Sequence, residues 1–206
     1  DVTTGSDGSI YFVGNTYGDL DGQTNNNNGS YNEYASTDAF ISKFNPDGTR
    51  DWTRLLGTSY ADSAYDVTVG SDGSIYIAGV SSEDLTWGVD TDLDGQINSG
   101  FKDAFISKYN SDGTKDWTKL LGSSRDDIAL ELTTGSDGSI YIAGVTEGDL
   151  NGQTNNGKGD AFLSKYKPNG TKVWTKLFGG LNYDSGTALT TGSDGSIYTV
   201  SYTHLR

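Results

Sequence analysis

Residues 70–76 read GSDGSIY, and the same seven residues recur at 5–11, 135–141 and 192–198, at intervals of 65, 65 and 57. Other landmarks keep the same beat: DAF begins at Asp38, Asp103 and Asp160, and Trp52, Trp117 and Trp174 follow with matching spacing. A period of this length, holding several strand-like runs, marks a repeat array and has to be settled before any shorter motif is read. Within the unit 66–130, DVTVG, SIYIAGV, DAFISKYN and DWTKLLG are runs rich in β-branched and aromatic residues, bounded by Gly, Asp, Asn and Ser. They read as four strands. SDG joins the first to the second and the third to the fourth, and Asp-Gly supplies the positive φ a tight hairpin needs. Each unit is therefore a four-stranded antiparallel meander, the form of a propeller blade.

The expected architecture is all-β: a partial β-propeller of three four-stranded antiparallel blades, units 1–65, 66–130 and 131–187, with the start of a fourth at 188–199. Antiparallel parity puts the SDG turns at one end of every blade. The long second-to-third loops and the blade-to-blade connections then share the other end. The long loops run from Gly14 to Asp38, Gly79 to Asp103 and Gly144 to Asp160, and their inserted residues differ from blade to blade. Sequence variation is thus gathered on one face, where loops carry whatever binding occurs.

Composition narrows the partners. The 206 residues carry 29 Gly and 2 Pro, which favours strands and turns over helices, and a net charge of −14, which repels a phosphate backbone. Nucleic acid is not an expected partner. No stretch of eighteen apolar residues occurs, so no membrane span is expected. The absence of Cys excludes disulfides and thiolate chemistry and leaves the redox compartment open.

The run DAFISKYNSDGTKDWTKLLGSS, followed by TGSDGSIYIAG, resembles the bacterial seven-bladed β-propeller repeat family (SBBP), over Asp1 to about Tyr198. That resemblance implies a secreted or cell-surface setting within a large bacterial protein and no shared enzymatic activity. Three units and a fragment are fewer than the four to eight blades of a closed ring. The expectation is a section of a longer protein whose remaining blades are its partners, or an arc that closes by self-association. Residues 200–206 break the repeat: VSYTHLR matches the translation of a transposon mosaic end used in sequencing libraries, the alternative being a divergent strand. On the first reading His204, the one histidine of the chain, is not native.

The clearest chemical motif is GVDTDLDGQIN at 88–98. Asp90, Asp92 and Asp94 alternate as calcium ligands do, Gly95 permits the bend, and Gln96 and Asn98 fall at the next ligand positions. Position twelve is Phe101 and no helices flank the loop, so this is not a helix-loop-helix calcium hand; it looks more like the calcium hairpin loop of integrin-type propellers. Thinner copies offer Asp19, Asp21 and Asn25 in the first blade, and Glu147, Asp149, Asn151 and Asn155 in the third. The competing reading is that Asp, Asn and Gly merely build Asx turns. Trp87, Tyr31 and Tyr34 break the period inside the insertions, either as ligand-stacking aromatics for a glycan or protein or as loop anchors. The recurrent Trp52, Trp117 and Trp174 are expected to pack between sheets.

Acidic residues recur at the blade connections: Asp62 and Asp66, Asp126 and Asp127, then Asp184. Paired carboxylates suit glycoside hydrolysis, but their periodicity favours capping hydrogen bonds or cation binding at blade junctions. SDGTKDW is only distantly like a sialidase Asp-box, and no Ser-His-Asp set or phosphate-binding G-x-x-x-x-G-K loop is present. The expected function is non-enzymatic binding or adhesion, with calcium stiffening the loops. A structural spacer and a glycoside-cleaving propeller are the alternatives.

Overall fold

The second strand of each unit shows why the chain folds as stacked sheets. IYIAGV is apolar at consecutive positions, so a sheet carrying it must be covered on both faces. In the computed structural model, which describes residues 1–26, 36–83 and 92–202, this is what happens to the inner units. The first blade pairs β1 (Val2–Thr4), β2 (Ile10–Thr16), β3 (Asp38–Phe44) and β4 (Arg50–Leu56) in that order. The second is built from β5 (Asp62–Val69), β6 (Ile75–Ser82), β9 (Lys102–Tyr109) and β10 (Lys115–Leu121), and its long loop adds a small hairpin of β7 (Asp92–Leu93) and β8 (Gln96–Ile97). The third follows with β11 (Asp127–Thr134), β12 (Ile140–Thr146), β13 (Asp160–Tyr166) and β14 (Lys172–Phe178). A two-stranded sheet, β15 (Ser185–Thr191) and β16 (Ile197–Tyr202), begins a fourth. All pairings are antiparallel meanders, and residues 200–202 continue β16.

The cores lie between sheets. Tyr11, Val13, Ile41, Trp52 and Leu56 of the first blade meet Val67, Ile75, Ile77, Phe105 and Tyr109 of the second. Strand alternation sends Tyr76, Ala78 and Ile106 to the opposite face, against Leu132, Ile140, Ile142, Phe162 and Tyr166 of the third. Trp52 and Trp117 latch their blades to the next. The Trp52 indole donates to Ser111 O at 3.3 Å and Trp117 to Pro168 O at 3.2 Å, both in the outer turn of the following blade. The rings lie over Gly113 and Gly170, where a Cβ would approach within 2.7 and 3.0 Å. Trp52 and Trp117 thus pack between sheets as expected, each received by a glycine at φ near +80°, while Trp174 packs beside Tyr141, Leu189 and Ile197.

The SDG turns differ in detail from the expectation. Gly8, Gly73, Gly138 and Gly195 have positive φ, but their preceding aspartates do not. Instead Asp7 accepts from Ser9 N (3.0 Å) and Ser9 Oγ (2.9 Å), and Asp72, Asp137 and Asp194 repeat the pattern. The turn is a type I turn closed by a left-handed glycine, with Asp holding its arm. These hydrogen bonds to the ionised form lower the pKa of Asp7, Asp137 and Asp194.

Candidate ligand-binding face

At the end opposite the SDG turns, the long loops and blade connections come together. Their first shared feature is the L-[DN]-G-Q segment. Leu20 pairs with Gln23, Leu93 with Gln96, and Leu150 with Gln153, so each blade carries a two-residue hairpin. Asp21, Asp94 and Asn151 sit at φ of 55, 57 and 52°, followed by glycines at 73–78°. This is the left-handed pair a type I′ turn requires. Leu93 and Leu150 are fully buried in the interfaces with the preceding blades.

The fifth-position ligands of the calcium pattern therefore have other work. Asp21 accepts from Thr53 Oγ1 at 2.6 Å and pairs with Arg50. Asp94 accepts from Thr118 Oγ1 and Lys115 Nζ, and Asn151 bridges Thr175 Oγ1 and Lys172 Nζ. Each of those threonines shares a buried hydroxyl pair with a serine one strand away, at 2.7–2.8 Å. Asp19 and Asp149 instead cap the N–H groups of Asn25 and Asn155 at 3.0 and 2.9 Å. Asn25, Asn98 and Asn155 donate to Thr16 O, Ser81 O and Thr146 O. Third- and fifth-position side chains are thus engaged by separate partners in the outer blades, and among the described residues no group of three or more His, Asp or Glu converges on a point. Asp90, Trp87, Tyr31 and Tyr34 lie outside the described residues.

Below this layer runs a feature that the sequence motifs did not reveal as a unit. The Asp of each DAF and the acidic residue that opens the next blade, 24 positions later, are both buried: Asp38 with Asp62, Asp103 with Asp127, Asp160 with Asp184. Asp62 accepts from Thr58 N and Oγ1, Asp127 from Ser123 N and Oγ, and Asp184 from Gly180 N. Asp103 accepts from Ser99 N and Gly100 N, and Asp38 and Asp160 from the N–H groups of Asn26 and Asn156. These are capping roles. The glycine of each LG stop makes room: at Gly57, Gly122 and Gly179 a Cβ would fall within 2.1–2.4 Å of the carboxylate of Asp38, Asp103 or Asp160.

Burial raises Asp38, Asp62, Asp103 and Asp127, for which no ion pair occurs among the described residues. Desolvation, with a smaller push from Asp38, lifts Asp62 to about 7. Asp103 rises to about 6 through desolvation, aided by the Asp127 and Glu83 charges, and Asp38 and Asp127 move the same way. Asp66, half-buried between the inner strands where it accepts from Leu132 N, also rises to about 6 through desolvation. Asp1 makes the matching bond from Val67 N one blade earlier.

Above the acid pairs, a polar cleft of about 530 Å3 opens between the second and third blades, lined by Ser124, Arg125, Glu147, Asp149, Asn155 and Lys158. A second depression shares Ser124, Arg125 and Glu147 and adds Phe101 and Asp126. Phe101 is 51% exposed at the rim, and Asp126 pairs with Lys102 at 3.3 Å. Of these residues the sequence pattern had singled out Glu147, Asp149 and Asn155 for a metal. It missed Arg125 and Lys158, whose signal is a basic residue in an otherwise acidic, polar loop.

A model of the SBBP β-propeller repeat matches residues 51–86, from the last strand of the first blade through the second strand of the next. Over those residues the chain carries an SBBP repeat. Two longer proteins carry similar sequence. The regulatory protein FlaEY of Caulobacter vibrioides is 30% identical over 189 residues, 88% of this chain and 20% of that protein. An uncharacterised WD repeat-containing protein, L264, of Acanthamoeba polyphaga mimivirus is 25% identical over 181 residues, 69% of this chain and 13% of the relative. The chain thus spans a fifth or less of either relative. No helix in its described residues is long and apolar enough to cross a membrane.

Proposed function

We propose that the chain is a non-enzymatic binding module of a secreted or surface-attached bacterial protein, and that it takes a glycan or protein ligand on the long-loop face. The observation that carries this reading is the cleft at the joint of the second and third blades. It is concave, it lies where loop length varies, and through Arg125 and Glu147 it adjoins a depression that carries an exposed ring, Phe101. A ring beside fixed donors and acceptors suits a ligand with one apolar and one hydrogen-bonding side, such as a pyranose or a short peptide. Support for a non-enzymatic role comes from the recurrent acid pairs, which are buried in the blade joints, out of reach of a substrate. Calcium held by Asp90 and Asp92 would stiffen the neighbouring loop of the second blade, while Asp94 braces the hairpin beneath.

The test is retention on a panel of immobilised polysaccharides and peptides, comparing the parent with a Phe101→Ala, Arg125→Ala, Glu147→Gln variant of unchanged melting temperature. Retention by the parent that the variant loses supports the reading. Retention that the variant keeps, or no retention by either, would leave the module a spacer.

A further inference from the structure

The cleft between the second and third blades is lined by charges of both signs that the repeat does not explain. From them we infer that the ligand taken there is an acidic glycan, a chain of hexuronate sugars with one carboxylate per ring. This ligand class presupposes the binding role proposed for that face.

The repeat separates what the blade needs from what it does not. Residues that hold a blade together recur at the same place in each copy, as Asp38, Asp103 and Asp160 do. Arg125, Glu147 and Lys158 do not recur. Arg125 stands two positions before Asp127, where Tyr60 and Asn182 precede Asp62 and Asp184. Lys158 stands two before Asp160, where Ser36 and Phe101 precede Asp38 and Asp103. Glu147 follows Thr146, the partner of Asp160 across the sheet, and at the same register Tyr17 follows Thr16 and Ser82 follows Ser81. Uncharged residues fill every equivalent position, so the fold requires none of the three charges, and all three nevertheless meet in one cleft of about 530 Å3.

These charges are also uncommitted. Acids outnumber bases 28 to 14, and Lys43, Arg50, Lys102, Lys108, Lys115 and Lys165 each have a carboxylate partner. Among the described residues Arg125, Lys158 and Glu147 take part in no ion pair. The backbone beneath them is fixed. Glu147 N donates to Asp126 O at 2.9 Å, Arg125 N to Ser123 Oγ at 3.2 Å, and Asn155 N to Asp149 Oδ1 at 2.9 Å. A Cβ on Gly148 would lie 2.4 Å from Ser123 Oγ and 3.4 Å from Arg125 Cβ, which shows how closely the third-blade loop sits on the blade connection. Walls set in advance lower the ordering cost of binding.

The two signs together select the ligand. The guanidinium of Arg125 presents a planar fork that matches a carboxylate, and Lys158 adds a point charge beside it. Glu147 and Asp149 accept from hydroxyls and repel a second carboxylate placed close to the first. A hexuronate ring carries this pattern of one carboxylate among several hydroxyl donors. A neutral sugar would leave both cations unmatched. An acidic peptide would set its further carboxylates against Glu147 and Asp149, and none of the lining residues belongs to a strand whose edge a peptide could join. The adjoining depression brings the exposed ring of Phe101 next to Arg125 and Glu147, where the apolar face of the following sugar stacks.

The experiment titrates the chain by calorimetry with unbranched trimers of galacturonate and of mannuronate, with the methyl esters of the same trimers, and with hexaglutamate. One-to-one binding of an acidic trimer is expected, and binding of its ester weaker by about tenfold or more, the scale of a lost hydrogen bond between charged groups. The double variant Arg125→Gln, Lys158→Gln should bind the acidic trimer only as well as the ester and leave the ester unaffected, at an unchanged melting temperature, whereas a merely structural role would weaken both. Glu147→Gln should weaken acid and ester alike. An ester held as tightly as its acid overturns the inference and leaves the wider binding role standing. Failure of both acidic trimers also overturns it, and the wider role then stands or falls on the polysaccharide and peptide panel. Hexaglutamate binding more tightly than either trimer assigns the cleft to acidic peptides and overturns it as well.

Discussion

Tyr76 and Tyr198 occupy the same position of the same motif, GSDGSIY, and the turns before them are alike down to the Asp–Ser hydrogen bonds. Their surroundings are opposite. Tyr76 is sealed between the second and third blades, whereas Tyr198 stands open. The first blade repeats the contrast on its other side, where Phe12 is 45% exposed and its counterpart Ile77 is fully buried. Local sequence sets the turn and the strand, and the neighbouring sheet sets the stabilisation, because apolar area contributes only once water has been removed from both sides. The inner blades of this chain are thus held from two faces and the outer blades from one.

This contrast is open to direct attack, and the tyrosines offer the largest effect. Tyr76→Ala is expected to destabilise by about 3–5 kcal/mol, the cost of truncating a buried aromatic. Tyr198→Ala should cost under about 1 kcal/mol, as an exposed substitution does. Urea denaturation of both variants checks it, and equal losses would remove the distinction between inner and end blades.

Next in size is a pH effect at the blade joints. Because Asp62 is raised in the folded chain to about 7 from an ordinary value near 3.8, the folded state holds its proton more tightly than the unfolded state. Stability from this group is complete below pH 4 and is lost as the pH rises through 7, a change on the order of a few kcal/mol. Asp103 and Asp66 add the same sign over a window ending near pH 6. Asp62→Asn should flatten the dependence of the denaturation midpoint between pH 4 and 8. A midpoint that climbs through that range in the parent would contradict the buried, cation-free joint.

A smaller effect concerns one glycine in three settings. A Cβ on Gly79 or Gly144 would lie 1.9 Å from Ser63 O or Ile128 O, against backbone bulged at the next residue. On Gly14 the nearest atom is 3.0 Å away in the Phe40 ring, which can turn. Gly144→Ala is expected to cost about 1–3 kcal/mol and Gly14→Ala less than about 1 kcal/mol, read from thermal unfolding. The smallest effect belongs to the hairpins. Asp94→Asn breaks an exposed ion pair with Lys115 and should cost under about 1 kcal/mol. Calcium calorimetry on the parent and on Asp92→Asn separates a metal loop from a braced turn: saturable heat in the parent alone supports the metal.

Much of the architecture was legible because strand periodicity, Asp-Gly turns and repeat spacing are local signals. The four-stranded meander, the common end of the long loops and the packing of Trp52 and Trp117 between sheets were all readable in this way. The calcium pattern shows where local reading stops. Asp21 and Asp94 look like ligands by spacing, but they bond to Thr53 and Thr118, residues 32 and 24 positions away on the fourth strand. No spacing rule reaches that far. The acid pairs were hidden for the same reason: DAF and the blade connection read as separate motifs until adjacent sheets stack and place Asp38 beside Asp62.

By itself, then, the sequence determined the blade and its count, since hydrogen bonding between neighbouring strands and the conformational preferences of Gly, Asp and β-branched residues act over a few residues. Tertiary structure alone decided which copies of an identical motif are buried and which carboxylates are lifted toward neutrality. Those outcomes depend on solvent exclusion between sheets, a property that no residue possesses until its neighbour arrives.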